Sequence, residues 1–286
     1  MLAVDDGVIE TLLDKVVALC LQAGEAVMEV YCSAQPLHIE SKADASPVTK
    51  ADRLAHQIII AGLKQLMPGW PILSEEQVAP NYAIRRQWHR YWLVDPLDGT
   101  REFIDRTGEF TVNIALIDRG VPVLGVVGIP CEQVAYMSIA GNNSGAWRQD
   151  KRARNSIKVR QLTLADKVKV LSSGRDKGPE LKACIAHMQQ QFAGVEWLRA
   201  GSALKFCHLA QGSADIYPRF SPCCEWDTAA GQAILQAAGG QLLDVEFRPI
   251  RYNQKASLIN PCFYGLGAAD FDWQVLLQPQ GGGEGT

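Results

Sequence analysis

Four acidic stretches could carry chemistry in this sequence. Trp92-Leu93-Val94-Asp95-Pro96-Leu97-Asp98-Gly99-Thr100 ends an apolar run in one carboxylate and places a second three residues later. Pro96 restricts the turn between them, and Gly99 lets the backbone approach a ligand closely. Ser74-Glu75-Glu76 follows the short apolar run Pro71-Ile72-Leu73, and Glu225-Trp226-Asp227 opens a helical stretch. Asp52 stands in the first turn of another helix. Each stretch alone has a plain structural explanation, since Asp, Pro and Gly favour turns and acids cap helix N-termini.

Taken together, the acids point further. Two carboxylates about 4 Å apart repel by roughly 4 kcal/mol at an effective dielectric near 20. Four or five of them, if the fold converges them, require a cation. An all-oxygen ligand set favours Mg²⁺, with Mn²⁺ as a substitute, over Zn²⁺. Mg²⁺ keeps waters and phosphate oxygens in its shell, which points to a phosphorylated substrate. His38, His56, His89, His187 and His208 form no metal-spaced pair, and no CxxC is present among the eight cysteines. Neither a Ser-His pair nor a reactive-cysteine motif competes for the role of nucleophile.

The elements that must position these residues can be read from periodicity. Ile9, Leu12, Leu13, Val16, Val17 and Leu21 recur at helical spacing, with Asp14 and Lys15 facing away. Ser46-Pro47-Val48-Thr49 leads into a second helix with Thr49 as N-cap, Asp52 three residues on, and a stop at Pro68-Gly69. Strands are expected at Tyr91–Val94, ending at Asp95, then at Phe110–Ile117, Val121–Val127 and Val134–Ile139. A turn at 141–145 precedes another strand-like run near Ile157. Beyond it, strand-like segments (169–171, 195–198, 214–217) alternate with helices (179–192, 203–211, 227–238). The expectation is an antiparallel α+β half over residues 1–160, a mixed α/β half over 161–275, and a disordered tail over 276–286.

Bulk properties exclude several classes. Hydrophobic content of 47% with 21% charged residues suits a soluble globular enzyme, and a net charge of −3 leaves no footprint for nucleic acid. Lys151-Arg152-Ala153-Arg154, the most basic run, reads as a solvated loop or strand edge. No signal peptide and no integral membrane segment are expected, which makes the cytoplasm the natural location.

Leu73-Ser74-Glu75-Glu76, Asp95-Pro96-Leu97-Asp98-Gly99-Thr100 and Trp226-Asp227-Thr228-Ala229-Ala230-Gly231 resemble the signature motifs of the inositol monophosphatase superfamily. Arg101–Ile104, Gly108–Leu116, Gly201–Cys207 and Tyr217–Phe220 look most like its bacterial 3'(2'),5'-bisphosphate nucleotidases. The resemblance implies a layered α/β/α/β/α sandwich with metals at the junction of its halves. It implies that Glu75, Asp95 and the Leu97 carbonyl hold a first Mg²⁺ and that Asp95, Asp98 and Asp227 hold a second, with Asp52 serving through water or a weaker third ion. Thr100, with Asp52 or Glu75, would orient the attacking water, and the Gly99 and Thr100 amides would cradle the phosphate. One ion would acidify that water while the other stabilises the leaving oxygen. Gly201, Ser202, Lys205 and Arg219 would face the substrate, although Lys205 reads equally as a surface residue and Arg219 as a partner for Glu225.

The implied reaction is hydrolysis of adenosine 3',5'-bisphosphate to AMP, with Li⁺ inhibition, in recycling the by-product of sulfate activation. Ser172-Ser173-Gly174-Arg175 departs from the Ser-Arg that relatives often carry after a strand. Cys223-Cys224, beside the Trp226-Asp227 motif, raises redox control as a weak alternative role. An inositol- or sugar-phosphate phosphatase differs only in its pocket. A non-catalytic nucleotide- or metal-binding regulator is disfavoured because all five acids and Thr100 are present. The oligomeric state, a homodimer included, and a peripheral place at the inner membrane face stay open.

Overall fold

The structure is a computed structural model and describes residues 6–34, 39–41, 47–141, 144–173 and 178–277. The first apolar stripe forms helix α1 (Asp6–Tyr31). A two-stranded ribbon, β1 (Ile39–Ser41) with β2 (Pro47–Thr49), leads into α2 (Lys50–Leu66), whose capping box joins Thr49 and Asp52 as the sequence predicts.

The large sheet follows. Strand β3 (Ile72–Ser74), the short helix α3 (Tyr82–Arg85), β4 (Arg90–Asp98) and another short helix α4 (Thr100–Ile104) come first. Then β5 (Thr111–Asp118), β6 (Val121–Ile129), β7 (Val134–Ile139), β8 (Gly145–Gln149) and β9 (Arg154–Ser156) run as a meander. The seven strands lie in sequence order, parallel between β3 and β4 and antiparallel thereafter.

The second sheet is mixed. It is built from β10 (Lys167–Ser172), β11 (Gly194–Arg199), β12 (Ile216–Arg219), β13 (Gln241–Asp244) and β14 (Phe263–Leu266) in the order β11-β10-β12-β14-β13. Helices α5 (Pro179–Gln191), α6 (Leu204–Ala210), α7 (Glu225–Ala237) and α8 (Trp273–Leu277) complete the described chain. The helix α8 runs past the expected boundary at 275 and buries Leu276. Residues 278–286, and with them the rest of the expected tail, lie outside the described residues.

Side chains of β4 show the layering. Trp92 and Val94 join the core made with α1 and α2, whereas Tyr91 and Leu93 join the core shared with α6 and α7. Alternation across a strand sends neighbours to opposite faces, and both faces here are covered, so the run reads as continuously apolar. The α6/α7 layer also packs on Leu171, Tyr217, Leu242 and Phe263 of the second sheet. That sheet's far face, with Val168, Val170 and Ile216, meets α5 and α8 through Leu181, Met188 and Trp273. The order is therefore α/β/α/β/α, as expected, with α7 between the sheets. Among the described residues no helix is long and apolar enough to cross a membrane.

Two local expectations are corrected. The Tyr91–Val94 strand does not stop at Asp95 but continues to Asp98, with an irregular register. Asp95 pairs with Asn113 and Asp98 with Thr111, so three steps along β4 match two along β5. The extra residue is a bulge, which accommodates a proline lacking the N–H that a ladder needs. Gly145–Gln149 is a strand rather than part of a turn and loop. It has no β-branched residue, and its pairing with β7 supplies what propensity does not.

Candidate active site

Each acid is positioned by a specific local device. Asp52 is 1% exposed. Its Oδ2 accepts from the Thr49 backbone N–H and hydroxyl, both at 2.7 Å, which leaves Oδ1 facing the Thr100 hydroxyl at 3.2 Å. Glu75 follows β3 directly, with its N–H donating to the Val94 carbonyl at 3.1 Å. In a regular strand a spacing of three would put Asp95 and Asp98 on opposite faces; the bulge makes the spacing effectively even. The Leu97 N–H closes this bulge on Asp95 Oδ1 at 3.0 Å. Asp227 sits in the first turn of α7, where its Oδ2 accepts the Cys224 N–H at 2.8 Å.

These devices converge three carboxylates. One oxygen each from Glu75, Asp95 and Asp227 lies within 4.8 Å of the others. Asp98 stands outside that trio but adds to the negative field on Asp95 and Asp227. Burial first, and like charges second, hold the Asp95 carboxyl well above the ordinary carboxylate range. Asp227 is raised well above it for the same reasons, and burial pushes Asp98 up to about 6 against the pull of Lys205. At the trio's spacing each pair of charges repels by about 3–4 kcal/mol at an effective dielectric near 20. Oxygen-only, mutually repelling and centred on the buried Asp95, the donor set fits a hard divalent cation such as Mg²⁺ and not a thiol- or imidazole-seeking one.

A cavity of about 630 Å³ opens beside this cluster, lined by Asp98, Gly99, Gly201, Ser202, Lys205, Arg219 and Asp227 among others. Gly99 has φ +91°, and a Cβ there would meet the Glu109 carbonyl oxygen at 3.1 Å, so the turn suits only glycine. Thr100 Oγ1 lies 3.2 Å from Asp52 Oδ1 and 3.3 Å from the Leu97 carbonyl oxygen, both within reach of its one proton. A Cβ on Gly201 would come within 2.6 Å of the Glu109 carbonyl oxygen. Ser202 donates its hydroxyl to the same atom at 3.1 Å, which seats this turn at the cavity wall.

The surface reading of Lys205 is corrected, because α6 buries it to 3% exposure. Its ammonium donates to the carbonyls of Ser202 at 2.7 Å and Ala200 at 3.2 Å and lies over the Tyr217 ring. Burial lowers its pKa to about 8, with Asp98 opposing. The alternative pairing of Arg219 with Glu225 is also corrected. Arg219 braces its own loop through the carbonyls of Ser221 and Pro222, each at 3.0 Å, while the Glu225 carboxylate accepts the Asn253 N–H.

Asn113 is a residue the sequence reading passed over. It donates to Asp98 Oδ2 at 3.4 Å and accepts from the Thr111 hydroxyl at 2.9 Å. The signal was present, since Thr111 and Asn113 are polar residues at the start of a strand whose next four residues are apolar. Cys223 lines the cavity as a free thiol, and burial pushes its pKa up to about 12, which disfavours the thiolate that redox chemistry needs. His56 contacts Ser74, His187 the Leu276 carbonyl and His208 Ser213, all apart from the carboxylates. His38 and Gly174–Arg175 lie outside the described residues.

Comparison with known proteins agrees with this geometry. The inositol monophosphatase family profile matches residues 9–271. A protein of Escherichia coli K12 named 3'(2'),5'-bisphosphate nucleotidase CysQ is 46% identical over 252 residues, covering 88% of this chain and 98% of its own. The protein of the same name from Haemophilus influenzae is 33% identical over 94% of this chain and 97% of its own. Among solved structures, CysQ from Bacteroides thetaiotaomicron superposes with a TM-score of 0.76 at 37% identity, covering 89% of this chain and 97% of that one. An IMPase of Thermotoga maritima shares the fold at a TM-score of 0.73 and 21% identity, over 93% and 94% of the two chains. The profile spans nearly the whole chain and the three acidic motifs meet in one cluster; the chain belongs to the inositol monophosphatase family.

Proposed function

We propose that this protein is a Mg²⁺-dependent 3'(2'),5'-bisphosphate nucleotidase that removes the 3'-phosphate of adenosine 3',5'-bisphosphate, giving AMP and phosphate. The same cleavage on the 5'-phosphosulfate analogue would give adenosine 5'-phosphosulfate, and both products fit nucleotide recycling in sulfur assimilation. The observation that carries this reading is the Glu75–Asp95–Asp227 trio, with Asp95 buried at its centre, beside a cavity whose lining includes Lys205 and Arg219. One phosphate belongs at the carboxylate cluster, and the two cations offer a place for a second. The nucleotidases at 46% and 33% identity support the same substrate class.

Glu75, Asp95 and the Leu97 carbonyl would hold one Mg²⁺, Asp95, Asp98 and Asp227 a second, and Asp52 a weaker third, with Mn²⁺ able to replace them. Bound Mg²⁺ supplies charge neutralisation at phosphorus and a more acidic water. The chain does the rest. Thr100 Oγ1 accepts a proton from the attacking water as it passes its own to Asp52 Oδ1, 3.2 Å away. Asp52 can serve as this acceptor because Thr49 occupies its other oxygen and fixes the rotamer. The Gly99 turn brings backbone amides close to the phosphate, and burial of Asp52 and Asp95 keeps bulk water from competing there.

The test is phosphate release from adenosine 3',5'-bisphosphate and inositol 1-phosphate side by side, each with Mg²⁺ and with EDTA. Fast release from the nucleotide, lost in EDTA, is expected. Release mainly from inositol phosphate would overturn the substrate, and no release from either would overturn the enzyme.

A further inference from the structure

The segment from Tyr252 to Asn260 runs beside the first turn of α7 and is stitched to it. Glu225 N–H donates to the Leu258 carbonyl and Asn260 N–H to the Cys223 carbonyl, both at 2.8 Å, and Cys224 bridges to Ile259. The Asn260 side chain is the centre of this seam. Its Nδ2 lies 2.8 Å from the Cys224 carbonyl oxygen, 3.0 Å from Thr228 Oγ1 and 3.6 Å from Cys223 Sγ. An amide nitrogen carries two protons, so both oxygen contacts are made at once. Cys224 is also the residue whose N–H holds Asp227 Oδ2 at 2.8 Å.

We propose that Asn260 is a positioning residue for cation capture: through Cys224 it locks the Asp227 carboxylate so that it stays in the trio with Glu75 and Asp95. The inference rests on the metal reading above. The reason for a brace is electrostatic. Asp227 shares its surroundings with Asp95, Asp98 and Glu75, and an unrestrained carboxylate would rotate away from three like charges. Anchoring Cys224 from its carbonyl side makes its N–H a fixed donor, and that donor opposes the rotation. Outer partners of metal-ligating carboxylates commonly act in this way.

The strap offers its own control. Asn253 (φ +58°) donates its side-chain amide to the Arg85 carbonyl at 2.6 Å and accepts from the Arg85 guanidinium, yet it bonds neither Cys224 nor Asp227. Glycine tolerates that φ, so Asn253→Gly removes comparable buried bonds from the same segment.

Mg²⁺ binding is measured calorimetrically on the native chain, Asn260→Ala, Asn253→Gly and Cys224→Pro. Proline is compatible with the Cys224 φ of −86° and deletes the N–H that holds Asp227. Asn260→Ala and Cys224→Pro are expected to weaken Mg²⁺ binding by about 10–100-fold. At saturating Mg²⁺ the KM of Asn260→Ala should stay native. Asn253→Gly should lower the melting temperature in EDTA yet keep native Mg²⁺ affinity. Native affinity in Cys224→Pro, or equal losses in Asn260→Ala and Asn253→Gly, would overturn the positioning role; should Asn260→Ala not fold, Asn260→Ser takes its place with the same outcomes. A native chain that binds no Mg²⁺ would instead overturn the metal reading, and this inference with it.

Discussion

At the scale of single residues, the site depends on carboxylates held in place by specific backbone and hydroxyl donors. Asp95 is buried on the bulge, held at one oxygen by the Leu97 N–H, and offers a carboxylate oxygen to the trio with Glu75 and Asp227. Asp95→Asn keeps the shape and removes the charge, so turnover should fall more than about 100-fold, beyond the loss typical of outer partners. Circular dichroism should stay native; near-native turnover would remove Asp95 from the cation site. Thr100→Val deletes the hydroxyl bonded to Asp52, which the proposed mechanism uses to relay the proton of the attacking water. A kcat lower by about 10²–10⁴-fold, with KM little changed, is the expected result of losing a proton relay. Lys205→Met tests the second phosphate. If the ammonium serves a bisphosphate, kcat/KM should drop about 10–100-fold on adenosine 3',5'-bisphosphate, as for a lost charged hydrogen bond, and much less on a monophosphate.

At the scale of elements, α7 has to lie close to both β6 and α6 for Asp227 to reach the acids of β3 and β4. Glycines allow it. A Cβ on Gly125 would sit 2.4 Å from the Ala230 carbonyl oxygen and 2.7 Å from the Ala233 Cβ. One on Gly231 would meet the Phe206 ring at 2.4 Å. Neither neighbour can yield cheaply, because one is helix backbone and the other a fully packed ring. Gly125→Ala should therefore cost about 1–3 kcal/mol as an overpacking change. Its melting temperature should fall by several degrees, and half-saturating Mg²⁺ should rise as Asp227 moves with its helix. A melting temperature equal to the native one would show that α7 is not held this closely.

At the scale of the whole molecule, the cation couples to folding stability and to pH. Mg²⁺ at about 100 times its Kd should add about 2.7 kcal/mol to stability. The pH sign follows from Asp98, raised from 3.8 to about 6 in the metal-free fold. Between those values the folded chain binds more protons than the unfolded one, so metal-free stability falls as pH rises through that window. Asp95 and Asp227, also raised, act in the same direction. Mg²⁺ held by these carboxylates would replace those protons, and the melting-temperature gain on adding it should widen between pH 5 and pH 7.5. A gain that shrinks with rising pH would contradict a site made of these carboxylates.

The identities of the acids, their order along the chain and the helices α1 and α2 could be read from residue types and periodicity, because capping, helical stripes and turn residues act over a few positions. Thr49 and Asp52 form the capping box their spacing predicts, and the three acidic motifs converge one carboxylate each within 4.8 Å of one another. What no local pattern carried was contact across the chain. Only the pairing of β4 with β5 shows that Asp95 and Asp98 are separated by a bulge, and only the packing of α6 shows that Lys205 is buried beside the cavity. Asn260 is the extreme case, polar and unremarked in the sequence, yet bonded across more than thirty residues to the turn that holds Asp227. Short-range propensity writes itself into neighbouring residues. Convergence, burial and charge repulsion depend on distances that exist only once the layers have closed.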